Sequence, residues 1–411
     1  LQVHCHFCTS IQKQMFSWPV SNYDQPMSKL ILLAILSLIS AAATAGDTST
    51  IEPASKTAAP PLSVEASPVL DLNAISTMEK IIPALADKRV VFIGEQHSRY
   101  DHHLSQLEII RRLHAQHPQL AIGMEMFQQP FQRYLDEYVT GAIDEQAMLR
   151  STEYYRRWRL DFRHYAPILR YAREHELPVI ALNVPTELTH KVGHAGLDGL
   201  NDEDRQQLPD DIAPADAAYR ERIKKVFDYH PNNEEHDFEH FLEAQLLWDA
   251  GMAARAAAFL EVHPDHHLVV IAGNQHVAWG GTIPQRLQQR KQVTAAVILN
   301  SWHGPVEPGL ADFLLLPEER PLPTAGKLGA LLKNDNDQVI ISTCFEDSAC
   351  KEAGMKAGDR ITAIDSTPIN STADLSLVMW DKQRGDTINI DTLRKRLLLP
   401  DKPLNYELTL Q

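Results

Sequence analysis

From about Val69 onward, short apolar runs alternate with longer amphipathic stretches, the pattern of a parallel sheet covered by helices. The runs predict strands over Arg89–Ile93, Leu120–Met124, Pro178–Leu182, His267–Ala272 and Val293–Leu299. Between the third and fourth lies a segment, about Thr186 to Glu261, that reads as wholly helical. It is too long for a simple crossover, so it predicts a helical cap over the sheet. Ahead of this region, residues 46–68 are rich in Ala, Pro, Ser and Thr, which suits a disordered spacer. Behind it, Pro317, Pro321 and Pro323 bracket Glu318, Glu319 and Arg320, so residues 317–326 read as an interdomain linker.

Beyond the linker come Lys327-Leu328-Gly329-Ala330-Leu331-Leu332, the strand-like Gln338–Thr343, and a run from Ala353-Gly354-Met355 through Gly358-Asp359-Arg360-Ile361 to Ile364-Asp365. The last run resembles the A-G-hydrophobic-x-x-G-D-x-I-x-x-I-[DN] signature of PDZ domains. That resemblance implies a small domain over residues 327–411 that receives a peptide as an added strand and holds its terminal carboxylate on backbone N–H groups. Leu328, Gly329, Ala330 and Leu331 stand where that loop belongs, and Ala373–Lys382 would line the groove. A domain that only packs against its neighbour is the competing reading. The expected fold class is thus α/β, a parallel sheet flanked by helices with a helical cap over 69–316, plus a small C-terminal PDZ-like β/α domain.

The amino end carries Lys29, the apolar run Leu30–Ile39 and then Ala43-Thr44-Ala45, the order of a cleaved secretory signal over residues 27–45. The run is shorter than the roughly 20 residues that span a bilayer. With Met27 as the initiator, residues 1–26 would not be translated, and the Cys5/Cys8 pair would go with them. Export to the periplasm is the expectation. There Cys344 and Cys350 would form a disulfide or stand as two spectator thiols. Removing Lys13, Lys29 and Asp24 takes 39 cations and 54 anions to 37 and 53, a net charge of −16, which argues against nucleic acid as a partner.

In an open parallel sheet, ligands bind outside the carboxyl ends of the strands. Those ends carry Gly94-Glu95-Gln96-His97, Glu125-Met126-Phe127, Asn183-Val184-Pro185 and Gly273-Asn274-Gln275-His276. Two carboxylates, two imidazoles and an amide therefore converge on one rim from four separate stretches of chain. The paired Gly-x-x-His segments suit a metal, a proton relay or an anionic ligand, with turn-stabilising histidines as the bland alternative. In the helical segment, His236 and His240 have the i,i+4 spacing of a chelating pair or of a solvated face. Gln245 and Asp249, also i,i+4, point either at a ligand or into an interhelical contact.

These motifs resemble the ChaN-like haem-binding uptake family, related to the Tiki and TraB group. The likeness spans about Lys88 to Asn300 and adds Tyr165-Ala166-Pro167-Ile168-Leu169, Ala244-Gln245-Leu246-Leu247-Trp248-Asp249 and Ile283-Pro284-Gln285-Arg286-Leu287. It implies two stacked haems at a homodimer interface, a tyrosine from one subunit on each iron, and a histidine and a lysine from the other on the propionates. A phenolate is a hard ligand that favours ferric haem. Tyr165 is the first candidate and Tyr219 the next, with Tyr154 and Tyr155 behind them; Lys191, His97 and His276 are candidates for the propionates. The expected role is binding rather than catalysis, with an outer-membrane haem receptor or a peptide C-terminus as partner. Similarity to the Tiki group implies the alternative, a metal-dependent hydrolase with a divalent metal on His97, Glu125 and His276 and with Glu95 as general base.

Overall fold

The computed structural model describes residues 72–229, 237–335 and 338–411. The expected leader, signal segment and spacer lie outside these residues, as does His236.

Six parallel strands form the first sheet: β1 (Val90–Glu95), β2 (Leu120–Gln128), β3 (Val179–Asn183), β4 (His267–Gly273), β5 (Ala295–Asn300) and β6 (Phe313–Leu315), in the order β3-β2-β4-β1-β5-β6. β1 to β4 read as unbroken apolar runs because helices cover both faces. Alternation along them is still visible in the packing. Val91, Ile93, Ile122, Met124, Val269 and Ile271 face one core, whereas Val90, Phe92, Ala121, Leu268, Val270 and Ala272 face the other. Each such aliphatic side chain contributes about 1.5–3 kcal/mol on full burial.

The strands end slightly later than the apolar runs suggest, and β6, three residues long, gives no periodic signal. The end of β2 matters for the site. Its ladder with β3 is regular up to Met124–Ala181, loses register, and resumes at Gln128–Asn183. The irregular stretch bends Glu125, Met126 and Phe127 out of the strand, the usual effect of a bulge.

The cap is less helical than its sequence suggests. It consists of helices Thr186–Ala195, Asp202–Arg205 and Ala217–Asp228 and the first half of Phe238–Val262, while residues 206–216, which hold Pro209 and Pro214, form no helix. Asp237 caps the long helix by accepting from the N–H groups of Glu239 and His240. Its amino half packs within the cap through Phe241, Leu242 and Leu247, and its carboxyl half packs on the sheet through Met252, Ala256 and Leu260. Buried nearly all round, it shows little amphipathic pattern, yet it ties cap to sheet.

The second sheet is antiparallel: β7 (Ala330–Asn334), β8 (Val339–Cys344), β9 (Asp359–Ile364), β11 (Thr387–Arg396) and β12 (Leu399–Thr409), with the short β10 (Thr367–Pro368) beside β9. Cys344 and Cys350 are joined in a disulfide. The groove helix runs over Thr372–Met379, shorter than expected, and starts at a capping box in which Ser371 and Asp374 satisfy each other's backbone N–H. Trp380, just past its end, packs into the core of the first domain, edge-on to Phe162 at 5.7 Å between centroids. Arg163 adds a bond from Nη1 to the Pro323 carbonyl (2.7 Å).

Candidate functional site

The four strand ends do converge. Glu95, the last residue of β1, is fully enclosed and takes four polar contacts. His97 Nδ1 lies 2.8 Å from Oε1, the Tyr165 hydroxyl donates to the same oxygen at 2.7 Å, and Gln106 Nε2 (2.9 Å) and His103 Nδ1 (3.0 Å) meet Oε2. Burial alone would push the carboxyl up, but the charges and hydrogen bonds of His103 and His97 outweigh it and hold Glu95 well below the usual carboxylate range. His103 is raised by the same pairing despite its own burial. A buried carboxylate–imidazolium pair therefore sits behind His97. With Nδ1 tied to Glu95, the free edge of the His97 ring, Cε1 and Nε2, faces Gly273. A Cβ at residue 273 would lie 3.0 Å and 3.2 Å from those atoms and 3.7 Å from Glu125 Oε2, so a side chain there would press on the His97 ring.

The opposite half of the rim is built on β2, β4 and the long helix. Gly273 N–H donates to Glu125 Oε2 at 2.7 Å. His276 Nδ1 meets Asp249 Oδ1 at 2.6 Å, its Nε2 lies 3.6 Å from Glu125 Oε1, and the Tyr219 hydroxyl donates to Asp249 Oδ2 at 2.9 Å. Burial lowers the imidazole, but Glu125 and Asp249 together raise it to about 9, so His276 is an imidazolium at neutral pH. Amides knit the strand ends together: Asn183 Nδ2 to the Glu125 carbonyl, Asn274 Nδ2 to the Asn300 carbonyl, and Asn300 Nδ2 to the Gly94 carbonyl. Gly94 cannot carry a side chain, because its Cβ would lie 2.4 Å from Asn274 Oδ1. Trp158 stands edge-on to His97 (4.8 Å) and Trp248 to His276 (6.3 Å), leaving the two imidazoles 7 % and 8 % exposed.

This placement revises the roles of the tyrosines. Tyr165 and Tyr219 are buried, and each spends its hydroxyl on a carboxylate; burial and that negative neighbour raise both phenols well above their ordinary range. As held here, neither presents a phenolate to an iron. Tyr154 is fully buried with no partner for its hydroxyl among the described residues and is raised mainly by that burial, and Tyr155, partly buried, is raised too. Tyr229, at the carboxyl end of the cap helix Ala217–Asp228, is 80 % exposed; no motif marks it in the sequence.

Among the described residues no group of three or more His, Cys, Asp and Glu side chains is disposed to hold a metal ion. His97 and His276 each have Nδ1 on a carboxylate, as many metal-bound imidazoles do, and His276 Nε2 lies 3.6 Å from Glu125 Oε1.

Lys191 is not in the rim cluster. It pairs with Asp204 (2.6 Å) at the edge of a cleft of about 390 Å³ beyond the ends of β2 and β3, within the size range of small-molecule sites. Pro130, Phe131, Pro185 and Leu188 give the cleft an apolar floor. Arg157 adds a second cation, its guanidinium 4.7 Å from the Phe131 ring centre and bound to Gln128 (2.7 Å) and Glu187 (2.9 Å). His103, Gln106 and Arg157 were missed from sequence. His103 and Gln106 share with Ile110 the buried face of helix Tyr100–His114, a polar pair on an otherwise apolar stripe, which is the signal that was there to find.

In the second domain, β7 is an edge strand paired only with β8. The Leu328 and Gly329 carbonyls accept from Cys350 and Phe345 N–H (both 2.9 Å), and Gly329 adopts φ +71°, so Leu328 and Gly329 form a tight turn into that edge, which Ala330 and Leu331 begin. Leu331 is 56 % exposed beside it.

Comparison with known proteins bears on both halves. A curated relative, RETICULATA-RELATED 5 of Arabidopsis thaliana chloroplasts, is 26 % identical over 136 residues, 31 % of this chain; the chain spans only 18 % of that protein's length. Among solved structures, ChaN of Campylobacter jejuni with cofacial haem has 17 % identity, covers 59 % of this chain and 92 % of its own, and gives a TM-score of 0.48. The peptide-bound PDZ domain of a carboxy-terminal protease from Vibrio cholerae, 15 % identical with a TM-score of 0.19, covers 21 % of this chain and 96 % of its own. Residues 326–402 match the PDZ domain model. Residues 81–287, just over half of the 411-residue chain, match the model for haem-binding uptake, Tiki superfamily, ChaN, and the chain therefore belongs to that ChaN family and joins to it a PDZ domain.

Proposed function

We propose that this protein binds haem in the periplasm as part of haem and iron uptake, between two copies of the chain, while the PDZ domain docks a partner's C-terminus. The observation that carries the reading is the family match across the α/β domain. The cleft beside β2 and β3 offers a place for it, with an apolar floor for a flat ring and Arg157 and Lys191 for carboxylates. Both cations already hold acidic partners, so propionates would take over from Glu187 and Asp204. Haem itself supplies the redox-active iron; the chain supplies the floor, the cations and an anionic oxygen. Tyr229 is an exposed phenol on the cap, whereas Tyr165 would first have to leave Glu95. The free edge of β7 and the turn at Leu328 and Gly329 favour peptide capture, from an outer-membrane haem receptor or another envelope protein.

Haemin titration of the full chain, followed by absorbance, tests this. Saturable binding weakened at least tenfold by Lys191→Gln, with a charge-transfer band altered by Tyr229→Phe, supports the cleft and the ligand. Absence of saturable binding overturns the reading.

One observation favours a second reading, hydrolysis: two rim imidazoles, each with Nδ1 on a buried carboxylate, His97 on Glu95 and His276 on Asp249. In this reading His97 Nε2, the ring nitrogen not held by Glu95, would take a proton from water, and His276, held by Asp249 and raised to about 9, would donate one to a leaving group. The resulting hydroxide would attack a carbonyl carbon, and the proton given up by His276 is restored by the one His97 removed. Loss of ester or peptide cleavage in His97→Gln is the expected result, with a chelator series showing whether a metal takes part. A parent inert toward both substrate classes refutes it.

A further inference from the structure

The β11–β12 hairpin outruns its own sheet. β9 accompanies β11 only as far as Arg394, opposite Asp359, so residues 395–402 project as a two-stranded finger. At about 3.3 Å per residue its turn stands roughly 10 Å beyond the last three-stranded row. The tip is Leu397-Leu398-Leu399, which are 90 %, 95 % and 60 % exposed. Leu398 also has φ +62°, a left-handed turn position that glycine or asparagine fills without strain. A leucine held there costs stability twice, through its wet apolar surface and its backbone, and such local strain is characteristic of functional positions.

The collar of the finger is basic. Lys395, Arg396 and Lys402 are exposed, with Asp401 as the one anion among residues 395–402, in a chain whose net charge is −15. Arg396 Nε donates to the Pro400 carbonyl (2.9 Å) and braces the turn, while Arg394, one row below, is committed to Asp359 (2.6 Å). Three leucines above a cationic ring match the order met on entering a bilayer from water, anionic headgroups first and hydrocarbon next. A projecting turn of exposed leucines suits a fluid interface that needs no shape complementarity. We propose that this hairpin is a peripheral membrane anchor that inserts Leu397–Leu399 into a bilayer containing anionic phospholipid. Among the described residues no helix is long and apolar enough to cross a membrane, so contact of this kind would hold the folded domains against the surface.

The test compares the full chain with Leu397→Ser/Leu398→Ser/Leu399→Ser and with Lys395→Gln/Arg396→Gln/Lys402→Gln in co-sedimentation with phosphatidylcholine vesicles, with and without phosphatidylglycerol. The run Leu30–Ile39 is common to all three, so differences between proteins are what is read. Binding that rises with phosphatidylglycerol and falls with salt, and that drops at least tenfold in both variants, is expected. A Leu398→Trp variant reports on the tip itself, where added emission should shift to the blue on vesicles and be quenched by brominated lipid. Leu398→Gly should bind less while melting no lower than the parent, because it relieves the left-handed turn. Equal sedimentation of parent and variants, together with unquenched emission from the Leu398→Trp variant, would overturn the proposal. A change of solution mass in the triple-Ser variant without any vesicle effect would overturn it too, making the tip a protein contact instead.

Discussion

Replacing Tyr165 by Phe separates two roles for the same side chain. In the structure its hydroxyl donates 2.7 Å to Glu95 Oε1, while its ring packs against His103 at 4.4 Å between centroids. Phe keeps the ring contact and removes only the donor. A hydrogen bond to a charged acceptor is worth about 1.5–3 kcal/mol, and the site is closed to replacement water by its burial. At about 2–4 °C per kcal/mol for a domain of this size, the melting temperature should fall by roughly 3–12 °C. Acid sensitivity should rise as well. Glu95 is held below its unfolded value, so its contribution is present above the unfolded carboxyl pKa and is lost as pH falls through the folded one. With one donor fewer, the folded value moves up and acid unfolding begins at a higher pH. Thermal scans from pH 3 to 7, with haemin absorbance on the same samples, read both effects. An unchanged melting profile together with a lost charge-transfer band would refute the reasoning and make Tyr165 an iron ligand.

His276, raised from 6.5 to about 9, should add roughly 3 kcal/mol that is fully present below pH 6.5 and lost as pH rises through 9. Urea unfolding at pH 6.5 and 9.5 measures this, and Asp249→Asn should flatten the difference; a flat profile in the parent contradicts the assignment. Gly273→Ala would bring a Cβ to 3.0 Å from the His97 ring and should cost about 1–3 kcal/mol, seen as a lower urea midpoint. Full stability would show that the rim has slack that the structure does not. Opening the Cys344–Cys350 loop in a Cys344→Ser/Cys350→Ser variant should remove about 2 kcal/mol of chain-entropy stabilisation from the PDZ domain, with no shift on adding reductant to the variant. Equal melting of parent and variant would contradict it.

Much of the architecture was legible because the sheet is buried on both faces. Apolar runs as dense as those of β1 and β4 have few alternative explanations, and the strand-end rule then selected Glu95, His97, Glu125 and His276 without any contact information. Partnerships were less legible. Which carboxylate holds which imidazole depends on helices distant in sequence: His103 reaches Glu95 from helix Tyr100–His114, and Asp249 reaches His276 from the long helix. A tyrosine in a family motif looks the same whether its hydroxyl faces a ligand or a buried carboxylate; only the fold shows that Tyr165 faces Glu95. Lys191 was chosen for its place after β3, and its cleft mate Arg157, from a different segment, has no sequence mark at all. The cap reads as continuous helix because its charged composition favours helix, but Pro209 and Pro214 interrupt it.

Haemin titration of the full chain, with solution mass determined at each ratio, addresses the proposed function most directly. A saturable Soret change accompanied by a doubling of mass is the expected result, since the proposed haem lies between two copies of the chain. A Soret change that grows without saturation, at constant monomer mass, would contradict haem binding at a defined site.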